Sequence, residues 1–175
     1  CVATYNYLTF RLQQEPFGLS LTHASWLFLA YIAGAFASKQ AWGLTKRIPP
    51  VGVLIGGICA MVVGLGLTLL PWLIAIIVGL VIFTVGFFGA HSIALTLVSL
   101  RSAPEARSLA PSVYNLAYYA GSTLLGWVGG FAFAAAGWGG TVAMVASVAI
   151  LAASLAGAHA SRNGGIRRVD APRRA

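Results

Sequence analysis

Three stretches of this chain carry no Asp, Glu, Lys or Arg: Pro16 to Ser38, Ile48 to Leu100, and Ser108 to Ser161. A helix that crosses a bilayer needs roughly 20 mostly apolar residues. The two long stretches are therefore each expected to hold two spans, and the short one a single span. Prolines and glycines mark the turns. Gln13 to Ser20 is polar and contains Pro16 and Gly18. Pro49-Pro50 closes the helix before it, because neither ring nitrogen can donate a backbone hydrogen bond. Pro71-Trp72 and Gly137-Trp138-Gly139-Gly140 read as tight turns, and Pro111 as a first helical residue. The expected spans are 1–13 (the end of a first helix), 24–44, 51–70, 72–97, 111–136 and 141–160. A charged loop is expected over 99–108, and a basic cytoplasmic tail without fixed structure over 161–175.

Composition excludes a soluble domain. Hydrophobic residues form 59% of the chain and charged residues 8%, against about 45–50% and about 25% in soluble domains. The fold class is thus an all-α integral membrane protein. The net charge of +8 does not indicate nucleic acid, because Lys and Arg sit in short loops and the tail, with no soluble basic face to carry them. Each long uncharged stretch holds two spans, so its ends share a side. That side collects Lys46, Arg47, Arg101, Arg107 and the tail arginines, with Lys39 close by; Arg11 alone among the basic residues lies opposite. By the bias of Lys and Arg toward cytoplasmic loops, the basic side and the C-terminus are expected in the cytoplasm. Cys1 and Cys59 form no pair or metal-ligand spacing, and a start within an apolar-aromatic segment reads as a cut in a longer protein.

Polar residues are shared unevenly among the spans. The first holds Asn6, with Arg11 near its outer end. The fourth holds His91 and Ser92; the fifth holds Ser112, Tyr114, Asn115, Tyr118, Tyr119 and Ser122. His91 is the only His, Lys, Arg, Asp or Glu between Arg47 and Arg101. An ionisable group at such depth is costly and is by default a functional candidate. Polar side chains at depth face a bundle interior or a wet cavity, so spans one, four and five are expected to line a pathway and spans three and six to face lipid. Candidate lining residues are Asn6, Arg11, His91, Ser92, Asn115, Tyr118 and Ser122. Small residues recur every four positions as Gly52, Gly56, Ala60 and Gly64, and as Ser122, Gly126, Gly130 and Ala134. Such stripes are expected to let helix backbones approach closely.

An enzyme is disfavoured. Ser122 and His159 would be the best nucleophile–base pair, but their depths differ, and no G-x-S-x-G elbow is present. Glu15, Glu105 and Asp170 all lie in turns or the tail, so no carboxylate pair or metal cage forms at depth.

Particular runs carry a resemblance. These are Tyr5-Asn6-Tyr7-Leu8-Thr9-Phe10-Arg11-Leu12, Gly86-Phe87-Phe88-Gly89-Ala90-His91-Ser92, and Tyr114 to Ser122 followed by Gly126, Gly129-Gly130 and Gly137-Trp138. Over residues 1 to 160 the chain resembles the C-terminal half of a major facilitator superfamily transporter, of the bacterial inner-membrane drug and sugar efflux type in the drug:proton antiporter branch. The resemblance implies a six-helix half of a twelve-helix protein, with spans corresponding to helices seven to twelve. It implies a missing N-terminal six-helix half, alternating access, a small-molecule substrate exchanged for protons, and no cofactor. The loop Gly43-Leu44-Thr45-Lys46-Arg47 keeps the family's basic pair but has Thr45 where an acid often stands, so a charge-relay role there is not implied. His91, with an ordinary imidazole pKa of about 6.5, suits proton exchange. The remaining alternative is a stand-alone small membrane protein with a structural or assembly role and no transport path.

Overall fold

The computed structural model describes residues 1–162; the expected tail, from 163 on, lies outside the described residues. Among the described residues the regular structure is entirely helical. Helix α1 is Val2–Gln13. A short α2, Leu21–Ser25, opens at Ser20, whose hydroxyl accepts from the His23 amide. A 3-10 turn, Trp26–Leu29, passes directly into α3, Ala30–Leu44. Then come α4, Pro50–Leu67, with Pro50 in its first turn, and α5, Leu73–Arg101. After a 3-10 turn at Pro104–Ala106, α6 runs over Ala110–Arg162.

Four helical segments are long and apolar enough to cross a membrane: Leu21–Leu44, Pro50–Leu67, Leu73–Arg101 and Ala110–Ser161. The last has 52 residues. Straight, it would be about 78 Å long at 1.5 Å per residue, far beyond a hydrocarbon core of about 30 Å. It is not straight. Ala136 (φ −143°, ψ 23°) and Gly137 (φ 57°, ψ −147°) leave helical geometry. Tyr114 and Ala152 line the same cavity, although a continuous helix would hold them about 57 Å apart. The chain therefore folds back at Gly137 into two arms, 110–135 and 138–162. The reversal is tighter than the expected Gly137–Gly140 turn: Trp138, Gly139 and Gly140 are already helical. Two residues turn the chain, and the second, Gly137, takes a positive φ that a Cβ disfavours. The helix of the fourth span also runs on through Arg101, so the charged loop begins at Ser102.

Helix α5 packs against α3 and α4, α1 against α6, and α4 against α6. The larger core cluster joins Tyr5 and Leu8 of α1, Leu65 of α4, Phe83 of α5, and Trp138 and Val142 of the second α6 arm. A smaller one joins Ile58, Ala90 and Ala149. The hydroxyl of Thr84 donates to the Leu80 carbonyl at 2.7 Å and so accepts from Tyr5 Oη at 2.7 Å, tying α1 to α5 inside the core.

The glycine seam differs from the expected stripe. A Cβ at Gly64 would lie 2.5 Å from the Gly79 carbonyl oxygen and from the Phe83 nitrogen, and one at Gly57 would lie 2.8 Å from the Gly86 carbonyl oxygen. Backbones of α4 and α5 thus meet at Gly64/Gly79 and Gly57/Gly86. Gly56 has open space where its Cβ would be, and Gly52 meets only Ile48 and Pro49 of its own turn. The reason is angular. Steps of four residues drift about 40° each around a helix, whereas Gly57 and Gly64 are two turns apart and stay on one face. On α6, Tyr7 lies across Gly129 and Gly130 and donates to the Gly126 carbonyl at 2.9 Å, while Gly126 itself leaves open space.

Candidate functional site: a cavity around His91

A partly open cavity of about 340 Å³ lies among α1, α4, α5 and both arms of α6. Helix α5 contributes Phe87, Ala90, His91 and Ala94; the first arm of α6 contributes Tyr114, Tyr118 and Ser122. Helical spacing explains both sets. Phe87 and His91 are four apart, as are Tyr114, Tyr118 and Ser122, so each set stands on one face. Ile58 and Met61 of α4, and Val145 and Ala149 of the second α6 arm, supply apolar walls; Cys1, Val2 and Ala3 of the α1 end also line it. Spans three and six, expected to face lipid, therefore also wall the cavity, with their apolar side chains.

The polar centre is the contact between His91 Nδ1 and the Tyr114 hydroxyl, at 3.0 Å. The Tyr118 ring lies 4.8 Å from the His91 ring between centroids and 6.1 Å from that of Phe87. Phe87 and His91 are nearly parallel, 15° apart at 5.7 Å. Ser122 is a half-buried hydroxyl in the same wall. The arrangement gathers Phe87, His91, Tyr114 and Tyr118 in one wall, with one imidazole and three hydroxyls able to exchange hydrogen bonds with a guest. None of the described lining residues is an Asp or Glu.

Several candidates stand elsewhere. Ser92, one position beyond His91, is turned about 100° away and donates to the Ser38 carbonyl at 3.2 Å. Ser38 in turn donates to the Phe88 carbonyl at 3.3 Å, so this pair joins α3 to α5. Asn115 is half-buried but does not line the cavity, being likewise one position past Tyr114. Asn6 is exposed, on the face of α1 away from Tyr5. Arg11 is remote from the cavity. Its guanidinium donates to the Thr68 carbonyl and to those of Leu69 and Leu70, at 3.3 and 3.2 Å. It caps the end of α4, where the last carbonyls have no partner within the helix. Phe87 and Tyr114, which are not among the candidate lining residues, also line the cavity. The i, i+4 repeat of Tyr114, Tyr118 and Ser122 is the signal that points to the second.

The family model for the Major Facilitator Superfamily matches residues 3–172. The chain belongs to the Major Facilitator Superfamily. Its members are multi-pass membrane transporters of small molecules rather than enzymes, and the apolar helices of this chain fit that family. Among similar proteins, the uncharacterized MFS-type transporter YybF of Bacillus subtilis (strain 168) is 33% identical over 156 residues, 89% of this chain and 38% of YybF. The inner membrane transport protein YnfM of Escherichia coli (strain K12) is 34% identical over 151 residues, 86% of this chain and 36% of YnfM. An uncharacterized transporter of Buchnera aphidicola subsp. Schizaphis graminum (strain Sg) is 33% identical over 151 residues, 86% of this chain and 36% of its own. The chain thus spans about a third of the length of the relatives it matches. No solved structure matches the chain significantly.

Proposed function

We propose that this chain is the C-terminal half of a proton-coupled efflux transporter of the bacterial inner membrane, working by alternating access. In this reading it has six spans: the end of one in α1, the four apolar segments, and a division of α6 at Gly137. An N-terminal six-helix half completes it. The two halves rock about a midplane site, exposing it to each side in turn. The basic loops and the C-terminus face the cytoplasm, and the substrate is a small organic molecule.

The observation that carries the reading is the cavity, with a single imidazole, His91, hydrogen-bonded to Tyr114 in its wall. Imidazole exchanges protons near neutral pH, so His91 is the titrating group in this half. The test is transport by the complete protein in inverted membrane vesicles, where efflux appears as uptake driven by an inward-acid gradient. Uptake should collapse with a protonophore, and its pH dependence should flatten in His91→Ala. Uptake indifferent to the gradient would end the proton-coupled reading.

A further inference from the structure

The ring nitrogens of His91 are not equivalent. Nδ1 is engaged by the Tyr114 hydroxyl at 3.0 Å, and among the described residues Nε2 has no partner. A phenol is the better proton donor, and the unprotonated nitrogen of neutral imidazole the better acceptor. The Tyr114 O–H therefore donates to Nδ1, which leaves the proton of the neutral ring on Nε2. The hydrogen bond of one nitrogen sets the role of the other. His91 lines the cavity, and the Tyr114 bond holds its ring in the tautomer whose N–H has no partner among the described residues.

The surroundings narrow the guest further. The cavity's 340 Å³ lies within the range of small-molecule sites, roughly 300–1,000 Å³. Its walls are aromatic and aliphatic, so a flat apolar body fits. A cationic guest would leave water with no carboxylate among the described lining residues to receive it, a steep cost at this depth. The faces that could attract a cation are in part covered by one another: Phe87 lies against His91, and His91 against Tyr118.

We propose that this cavity binds aromatic molecules bearing a hydrogen-bond acceptor and no positive charge, with His91 Nε2–H as the donor and Tyr114 as the residue that positions it. The proposal rests on the cavity being the substrate site of the transport reading, but its test does not involve transport. The complete protein in lipid nanodiscs at pH 8 is titrated with three probes of one ring size: naphthalene, 2-acetylnaphthalene and N,N,N-trimethyl-2-naphthylammonium, each corrected for binding to empty nanodiscs. 2-Acetylnaphthalene should bind about tenfold more tightly than naphthalene, the effect of one hydrogen bond at its upper net value, and more tightly than the cation. His91→Ala should erase the acetyl preference while naphthalene still binds. Tyr114→Phe keeps the ring and should reduce the preference severalfold; it carries the test if the alanine variant does not fold. The ¹⁵N spectrum of His91 adds a direct readout. Nδ1 should be the unprotonated nitrogen, shifted by the phenol proton, and Tyr114→Phe should move it toward the free value. Equal or tighter binding of the cation, or an acetyl preference that survives His91→Ala, overturns the proposal. Transport that ignores the proton gradient while the probe preference holds removes only the coupling.

Discussion

The indole N–H of Trp138 donates to both oxygens of Thr68, the carbonyl at 3.2 Å and the hydroxyl at 3.1 Å. The Thr68 hydroxyl spends its own proton on the Leu65 carbonyl at 2.6 Å, which leaves it free to accept. Arg11 approaches the same carbonyl from α1. Three elements therefore meet on one threonine at the end of α4. Trp138→Phe should lower stability by about 0.6–1.7 kcal/mol, the range from the average to the largest hydrogen bond between membrane helices. Thr68→Val should cost less, because the carbonyl remains for Trp138 and Arg11. Unfolding of the purified protein by SDS titration ranks the two; a greater loss for Thr68→Val would contradict the assignment.

The fold-back at Gly137 makes a second contrast. At φ 57° and ψ −147° a side chain is strained whatever the space around it. Gly137→Ala should cost about 1–3 kcal/mol. Gly139 is helical, with open space at its Cβ position, so Gly139→Ala should be neutral or stabilising. Thermal unfolding in detergent compares them.

The seam between α4 and α5 makes a third. Alanine at Gly64 or Gly86 would press a methyl into the backbone of the facing helix and should destabilise by about 1–3 kcal/mol. Gly56→Ala, into open space, should stay within about 0.5 kcal/mol of wild type. Equal losses at Gly56 and Gly64 would mean that the helices meet along the four-residue stripe after all.

Adjacent residues on α5 should separate cavity chemistry from packing. His91→Ala should flatten the pH profile of transport. Ser92→Ala should leave that profile unchanged and lose only the tie to Ser38, worth about 0.6 kcal/mol. Vesicle uptake measured across pH 6–8 tells them apart, and a flattened profile in Ser92→Ala would move the proton site off His91.

Much of the helical layout is legible because charge is excluded from long stretches and turns are marked by Pro and Gly. His91 is legible for the same reason: it is the only His, Lys, Arg, Asp or Glu between Arg47 and Arg101. What the sequence hides is azimuth. Ser92 and Asn115 lie at the right depth beside residues of the site, but one step around a helix turns a side chain by about 100°. Depth fixes how far along a helix a group sits, and the face is set by packing partners distant in the chain. Arg11 misleads in another way. A lone arginine in an apolar span looks like part of a pathway, yet here its partners are carbonyls, which no pattern of side chains announces. Gly57, Gly79 and Gly86 escape for a related reason: which glycines touch depends on the register of two helices.

Because Arg11 grips main-chain oxygens of Thr68, Leu69 and Leu70, what it recognises is the place where a helix stops, and the side chains at 69 and 70 are left out of the bargain. Those two positions, both solvent- or lipid-facing, are free to drift among residues of any kind that end the helix at the same point. A single inserted residue there would be felt at once, since it would carry the carbonyls out of reach. The joint between α1 and α4 is thus tolerant of spelling and intolerant of length.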